Sequence, residues 1–237
     1  MRKILESNAL PECIESKENI MKKTYTSLFI AMVLGAGGCN WQGIRGNGHV
    51  VTDQRTLEDF SEIYARGGAF NIEWRSGPPS VAITTDENLL THIETRKIDN
   101  RLELRTRERL RPSHGRSISM IVSSSTRSGA KLSGAADLKV SALTGPKFAV
   151  ESSGAADVTL DGTVDELLAD MTGASDLKAK TLRARTVQIS TTGAASAQVT
   201  ASETLRVDIT GAGDVTYFGN PKVEKHITGA GSIRHKE

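Results

Sequence analysis

The chain has 237 residues with 30 basic and 28 acidic side chains, and its formal net charge of +2 does not mark it for nucleic acid or an acidic partner. Aromatics are only 4% of the residues while glycine contributes 22, which argues against a large aromatic-filled core and for short strands joined by tight turns. The two cysteines, Cys13 and Cys39, precede the expected folded region, so neither a disulfide framework nor a thiolate metal site is expected within it.

In chain order, Met21-Lys22-Lys23 opens a basic segment. The apolar stretch Leu28-Phe29-Ile30-Ala31-Met32-Val33-Leu34 follows, then Gly35-Ala36-Gly37-Gly38 and Cys39. This is the three-part layout of a secretory signal. Its apolar run falls short of the roughly 20 residues that span a bilayer. The segment resembles a bacterial lipoprotein signal, although Ala36 stands where such signals usually carry Leu. The resemblance implies cleavage after Gly38, lipidation of Cys39 and export. Asn40 replaces the Asp linked with inner-membrane retention, so it implies an outer-membrane destination. Translation is then expected to start at Met21, leaving residues 1–20 without fold or function. Removing residues 1–38 leaves a nearly neutral chain. Residues 39–54 are Gly- and polar-rich and read as a tether.

From residue 55 onward the expected domain, 55–235, is all-β. Ala69-Phe70-Asn71-Ile72-Glu73-Trp74, Val81-Ala82-Ile83-Thr84, Leu102-Glu103-Leu104 and Ile118-Ser119-Met120-Ile121-Val122 read as strands. Ser76-Gly77-Pro78-Pro79 and Asp99-Asn100 read as turns, and residues 86–95 as a helical turn or loop. After Ser128 a repeat takes over, of the form Ser/Thr-Gly-Ala-small-Asp/Ser. Its glycines are Gly134, Gly154, Gly173, Gly193, Gly211 and Gly229, spaced 20, 19, 20, 18 and 18 residues apart. A fixed period near 20 with short strands predicts a parallel β-helix or solenoid, with about two strands and 18–20 residues per coil. Apolar residues two apart, such as Leu167, Ala169 and Met171, count on to the glycine and then to the small residue Ser175. That parity predicts turn glycines at an inner corner, each coil bonded to the next, and an outer stripe of alanines from Ala135 to Ala230.

The six Gly-Ala repeats resemble the head-GIN domain family, described as auto-transporter adhesins. So do the opening Arg55-x-Leu57-x-x-Phe60-x-x-Ile63-x-x-x-Gly67, Asn88-Leu89-Leu90 and the closing Gly219-Asn220-Pro221. The likeness covers roughly residues 55–234. It implies a β-helix shaped like the pectin lyases, without known catalytic residues, and a cell-surface or adhesive role.

Asp137, Asp157, Asp176 and Asp214 form a column that suggests either a calcium ladder or, more simply, turn capping, because Ser196 and Ser232 interrupt it. Arg105, Arg107, Arg109, Arg111 and Arg116, with His114, make a basic run without a paired acid that suits docking of anionic sugar or lipid phosphate, or else a solvated loop. The five histidines show no metal-ligand spacing, and no nucleophile elbow or triad appears. No metal, cofactor or catalytic residue is therefore expected. The primary reading is a non-enzymatic envelope protein, held to a membrane by lipid. Its expected partners are an envelope or host glycan or protein, or further copies of itself, with nucleic acid excluded. The alternative is a carbohydrate-active lyase or hydrolase acting through Asp137, Asp157 and Asp176.

Overall fold

In this computed structural model, residues 43–115 and 117–237 are described. The expected start, the signal, Cys39 and Arg116 lie outside them. The chain is all-β. In order it runs β1 (Ile44–Arg45), β2 (Val50–Thr56), β3 (Glu62–Arg66), β4 (Phe70–Ser76) and β5 (Ser80–Asp86). A 3-10 helix (Glu87–His92) leads to β6 (Ile93–Ile98), β7 (Arg101–Thr106) and β8 (Leu110–Arg111). A second short 3-10 turn (Ser113–Gly115) precedes β9 (Ile118–Ser124), β10 (Gly129–Gly173), β11 (Asp176–Gly193) and β12 (Ser196–Gly211). The chain closes with β13 (Asp214–Phe218), β14 (Lys222–Gly229) and β15 (Ser232–His235).

Strand formation follows from strict period-2 patterning, which gives each strand one apolar face. Leu138 and Val140, Val158 and Leu160, Leu177 and Ala179, and Ala197 and Val199 are all buried, as are Leu205, Val207 and Ile209. The repeats then pair in parallel and in register. Asp157 pairs with Asp176, Asp176 with Ser196, Ser196 with Asp214 and Asp214 with Ser232. Partners in this ladder lie 18 to 20 residues apart, matching the sequence period.

At the other end, chain order and spatial order part company. β3 and β4 pair with β10 on one side, and with β7 and β9 on the other. The segment carrying β7 and β9 therefore lies farther from the repeats than β3 and β4, although it comes later in the chain. Beyond it the ladder turns antiparallel, with β5 on β9, β2 on β5 and β6 on β7. Simple next-to-next stacking, as the repeat alone suggests, holds only after residue 128.

The described part of the expected tether, residues 43–54, differs from its composition-based reading. β1 pairs with β8, and β2 pairs along its whole length with β5. The cause is Asp86, which is 1% exposed and accepts the backbone N–H of Gly48 at 2.7 Å and of Ser113 at 2.8 Å. Burial alone raises the Asp86 pKa. These hydrogen bonds outweigh it and hold the carboxyl below its ordinary range. Asn88 adds a bond from its Nδ2 to the Arg45 carbonyl at 2.8 Å and accepts the Asn47 N–H at 2.9 Å. These polar contacts join residues 27 to 43 apart in sequence and leave no period for a sequence reading to find.

The repeat glycines also differ from expectation. Parity does run through them, since Met171 and Ser175 on either side of Gly173 are buried. The glycines themselves are exposed or half-buried, not enclosed. What excludes a side chain is backbone geometry. Gly173 has φ +107°, and a Cβ there would lie 2.5 Å from the Gly154 carbonyl oxygen. That same carbonyl accepts the Ala174 N–H at 2.9 Å. From Gly154 to Gly229 each glycine lies against the carbonyl of the one before it, so these positions are closed to any larger residue.

Candidate functional site

Two exposed features concentrate chemistry. The first is the acidic column. Parallel register places Asn71 beside Asp137, and Asp157, Asp176, Ser196, Asp214 and Ser232 in succession on one outer face. Lys178 reaches Asp157 Oδ2 at 2.9 Å, and Ser232 Oγ bonds Asp214 Oδ1. The side chains of Asp157 and Asp214 thus bond side chains on neighbouring strands and not the backbone of their own turns. The hydrogen bond to Asp157 and its charge raise the Lys178 pKa, with Asp176 and Asp137 adding. Among the described residues, no group of three or more His, Cys, Asp or Glu side chains converges as a metal set.

The second feature is a groove of about 490 Å³ beside β7, lined by Arg66, Gly67, Glu94, Arg96, Arg105, Thr106 and Arg107. Antiparallel pairing of β6 with β7 puts Glu94 opposite Arg105. Arg105 Nε donates to Glu94 Oε2 at 2.5 Å, and Arg107 Nε donates to Glu94 Oε1. The basic run thus has a paired acid after all, eleven residues upstream of Arg105, where no local motif reveals it. Nor is the run one solvated loop, since Arg105 belongs to β7 and Arg111 to β8. The backbone carbonyls of Arg109 and Arg111 accept the N–H groups of Ile44 and Gly46, each at 2.9 Å. Arg66 and Arg96, which complete the groove, were not singled out by sequence. Arg66 arrives because β3 aligns it directly beside Arg105.

The hydrogen bonds from Arg105 and Arg107 outweigh burial and lower the Glu94 pKa from an ordinary 4.5 to about 2. A carboxylate held more acidic in the folded chain stabilises it above its unfolded pKa, and that contribution fades as pH falls from 4.5 toward about 2. Urea midpoints measured from pH 7 to pH 2 are expected to fall across this window. Glu94→Gln is expected to flatten that acid limb; an unchanged acid limb in Glu94→Gln would contradict the assignment.

The remaining histidines are dispersed. His49 pairs with Glu87 at 3.0 Å, His92 with Glu108 at 2.9 Å, and His235 stacks on Tyr217 with ring centroids 4.9 Å apart.

An all-β chain of in-register parallel repeats, joined at stacked glycines, defines a class of repetitive β-ladder domains. The chain belongs to the family described as "Putative auto-transporter adhesin, head GIN domain", whose pattern matches residues 59–221. It is similar to a crystal structure of a "putative adhesin" from Bacteroides fragilis, with 22% identity, a TM-score of 0.67, and coverage of 82% of this chain and 100% of that one. A second "putative adhesin", from Parabacteroides merdae, matches at 19% identity and a TM-score of 0.52, covering 82% of this chain and 99% of that one. At these identities the likeness concerns the fold. No curated relative matches the chain.

Proposed function

We propose that this protein is a non-enzymatic, lipid-anchored component of the cell envelope, exported to the outer membrane, with a structural, adhesive or binding role. We take its ladder to be a parallel β-solenoid of about two strands and 18–20 residues per coil. The in-register run from Asp157 to Ser232 carries this reading, because each repeat presents the same outward positions to a partner. Membership of a family described as adhesins supports it. An envelope or host glycan or protein fits the outer face. The exposed alanines at 135, 155, 174, 194, 212 and 230 suit close approach of a second copy.

Among the described residues no helix is long and apolar enough to cross a membrane. We place the anchor on Cys39. Cells fed an alkyne fatty acid are expected to label the wild-type chain and not Cys39→Ser; equal label in both removes the anchor. The non-enzymatic reading is tested by incubating the protein with a panel of envelope and plant polysaccharides. No reducing ends or unsaturated sugars are expected. Release that is lost in a folded Asp157→Asn variant would transfer the assignment to a lyase or hydrolase on the acidic column.

A further inference from the structure

The groove beside β7 holds more positive charge than its own carboxylate balances. Four guanidinium groups, from Arg66, Arg96, Arg105 and Arg107, share the lining with Glu94 alone. Glu94 is committed to Arg105 and Arg107, with its side chain only 10% exposed, and Arg96 reaches it at no better than 3.6 Å. Arg66 lies over the Tyr64 ring at 5.7 Å, and among the described residues it makes no ion pair. Arg66 and Arg105 are direct neighbours across the ladder, an arrangement of like charges that destabilises a sheet unless an anion sits between them. Arg66 on β3 and Arg96 on β6 flank β7, and their guanidinium donors, which no short bond to Glu94 engages, match an oxyanion in charge and donor chemistry.

We propose that this groove binds a phosphate group, presented by a membrane lipid head group or by a free phosphate ester. Glu94 acts as the floor that fixes Arg105 and Arg107, while Arg66 and Arg96 supply the donors left for the ligand. The groove's volume of about 490 Å³ and its open form suit a phosphate carried on glycerol or sugar better than a bare ion. The lipid source rests on the anchor proposed above. Cys39 precedes β1 by five residues of sequence, and β1 pairs with β8 immediately after the groove strand. The phosphate chemistry does not depend on that anchor.

The test uses the full chain carrying Cys39→Ser, so that no acyl chain contributes, with vesicles of phosphatidylglycerol and of phosphatidylcholine at fixed ionic strength. Binding to phosphatidylglycerol is expected to exceed that to phosphatidylcholine. The double variant Arg66→Gln/Arg96→Gln keeps the Glu94 pairs with Arg105 and Arg107, loses only the 3.6 Å contact from Arg96, and is expected to weaken it roughly 10- to 30-fold. Arg206→Gln/Arg234→Gln removes the same charge near the opposite end of the ladder and is expected to change it less than about twofold. Glycerol 3-phosphate is expected to compete, and glucuronate is not. Equal loss in the two double variants would reduce the effect to net charge and overturn the site. Competition by glucuronate as strong as by glycerol 3-phosphate would overturn its phosphate chemistry. Binding of glycerol 3-phosphate without vesicle binding would retain the site and overturn its lipid source. Failure of the anchor alone would show only in the Cys39 labelling.

Discussion

Gly173→Val is expected to cost about 3–5 kcal/mol, among the largest losses available to a single substitution in this chain. Two independent penalties combine. At φ +107° a β-branched residue is strained whatever space surrounds it. The new Cβ would also meet the Gly154 carbonyl oxygen at 2.5 Å and the Gly154 nitrogen at 3.1 Å. These are backbone atoms of the neighbouring repeat, so they cannot swing aside as a side chain could. Moving them would break the 2.9 Å bond from the Ala174 N–H to the Gly154 carbonyl. Gly48 separates the two penalties. It has φ +84° with no atom within 4 Å of a built Cβ, so Gly48→Ala is expected to cost only about 1–2 kcal/mol from strain alone. The exposed Gln188→Ala is expected to stay within about 0.5 kcal/mol. Denaturant midpoints for the three variants decide the matter, and equal midpoints for Gly173→Val and Gln188→Ala would sink the stacked-glycine account.

Trp74→Ala is expected to cost about 3–5 kcal/mol. In a chain poor in aromatics, three large rings meet at one place. Trp74 is fully buried in β4, with the Phe60 ring centroid 6.3 Å and the Phe148 centroid 6.2 Å away. These residues come from before β3, from β4 and from β10, so the cluster ties the out-of-order strands to the first repeat. Trp74 Nε1 also donates to Ser124 Oγ at 2.9 Å, and Ser124 Oγ donates onward to the Thr126 carbonyl at 2.8 Å. Trp74→Phe keeps most of the packing and loses that one bond, for an expected cost of about 1–2 kcal/mol. Urea denaturation followed by far-ultraviolet circular dichroism reads both. A Trp74→Ala loss no larger than that of Trp74→Phe would show that the cluster does not carry the junction.

What the sequence revealed and what it hid divide along a physical line. The repeats were legible because a ladder with a fixed period writes itself into the chain. Leu177, Ala197 and Val215 occupy one buried column because each lies one period beyond the last. The strands at 70–76, 80–86, 101–106 and 118–124 were legible from alternation alone. Their spatial order was not, because pairing β3 between β7 and β10 depends on long-range register that no local pattern encodes. The groove was half legible. A run of arginines at alternate positions is visible in sequence, whereas Glu94, Arg66 and Arg96 join it only through strand pairing. Arg127 was hidden for the same reason. Its side chain is buried and donates to the carbonyls of Ser141 and Ala142 at 2.7 Å each, pinning a turn in which Ala142 has φ +51°. At the closing edge, Lys225 pairs with Val207 and so takes an apolar column position, where it stands exposed and discourages further strand addition.

The most direct test of the account is a distance along the outer column. Asp157 and Ser232 are 75 residues apart in sequence but only four ladder steps apart, through Asp176, Ser196 and Asp214. At roughly 4.8 Å per step that is about 19 Å between backbones. Spin labels placed by Asp157→Cys and Ser232→Cys, in a chain carrying Cys13→Ser and Cys39→Ser, are expected to give a single narrow distance distribution near that value in pulsed dipolar spectroscopy. A distribution centred beyond about 30 Å, more than six steps of the same ladder, or one without a maximum, would contradict the in-register stack on which the fold and the proposed function both rest.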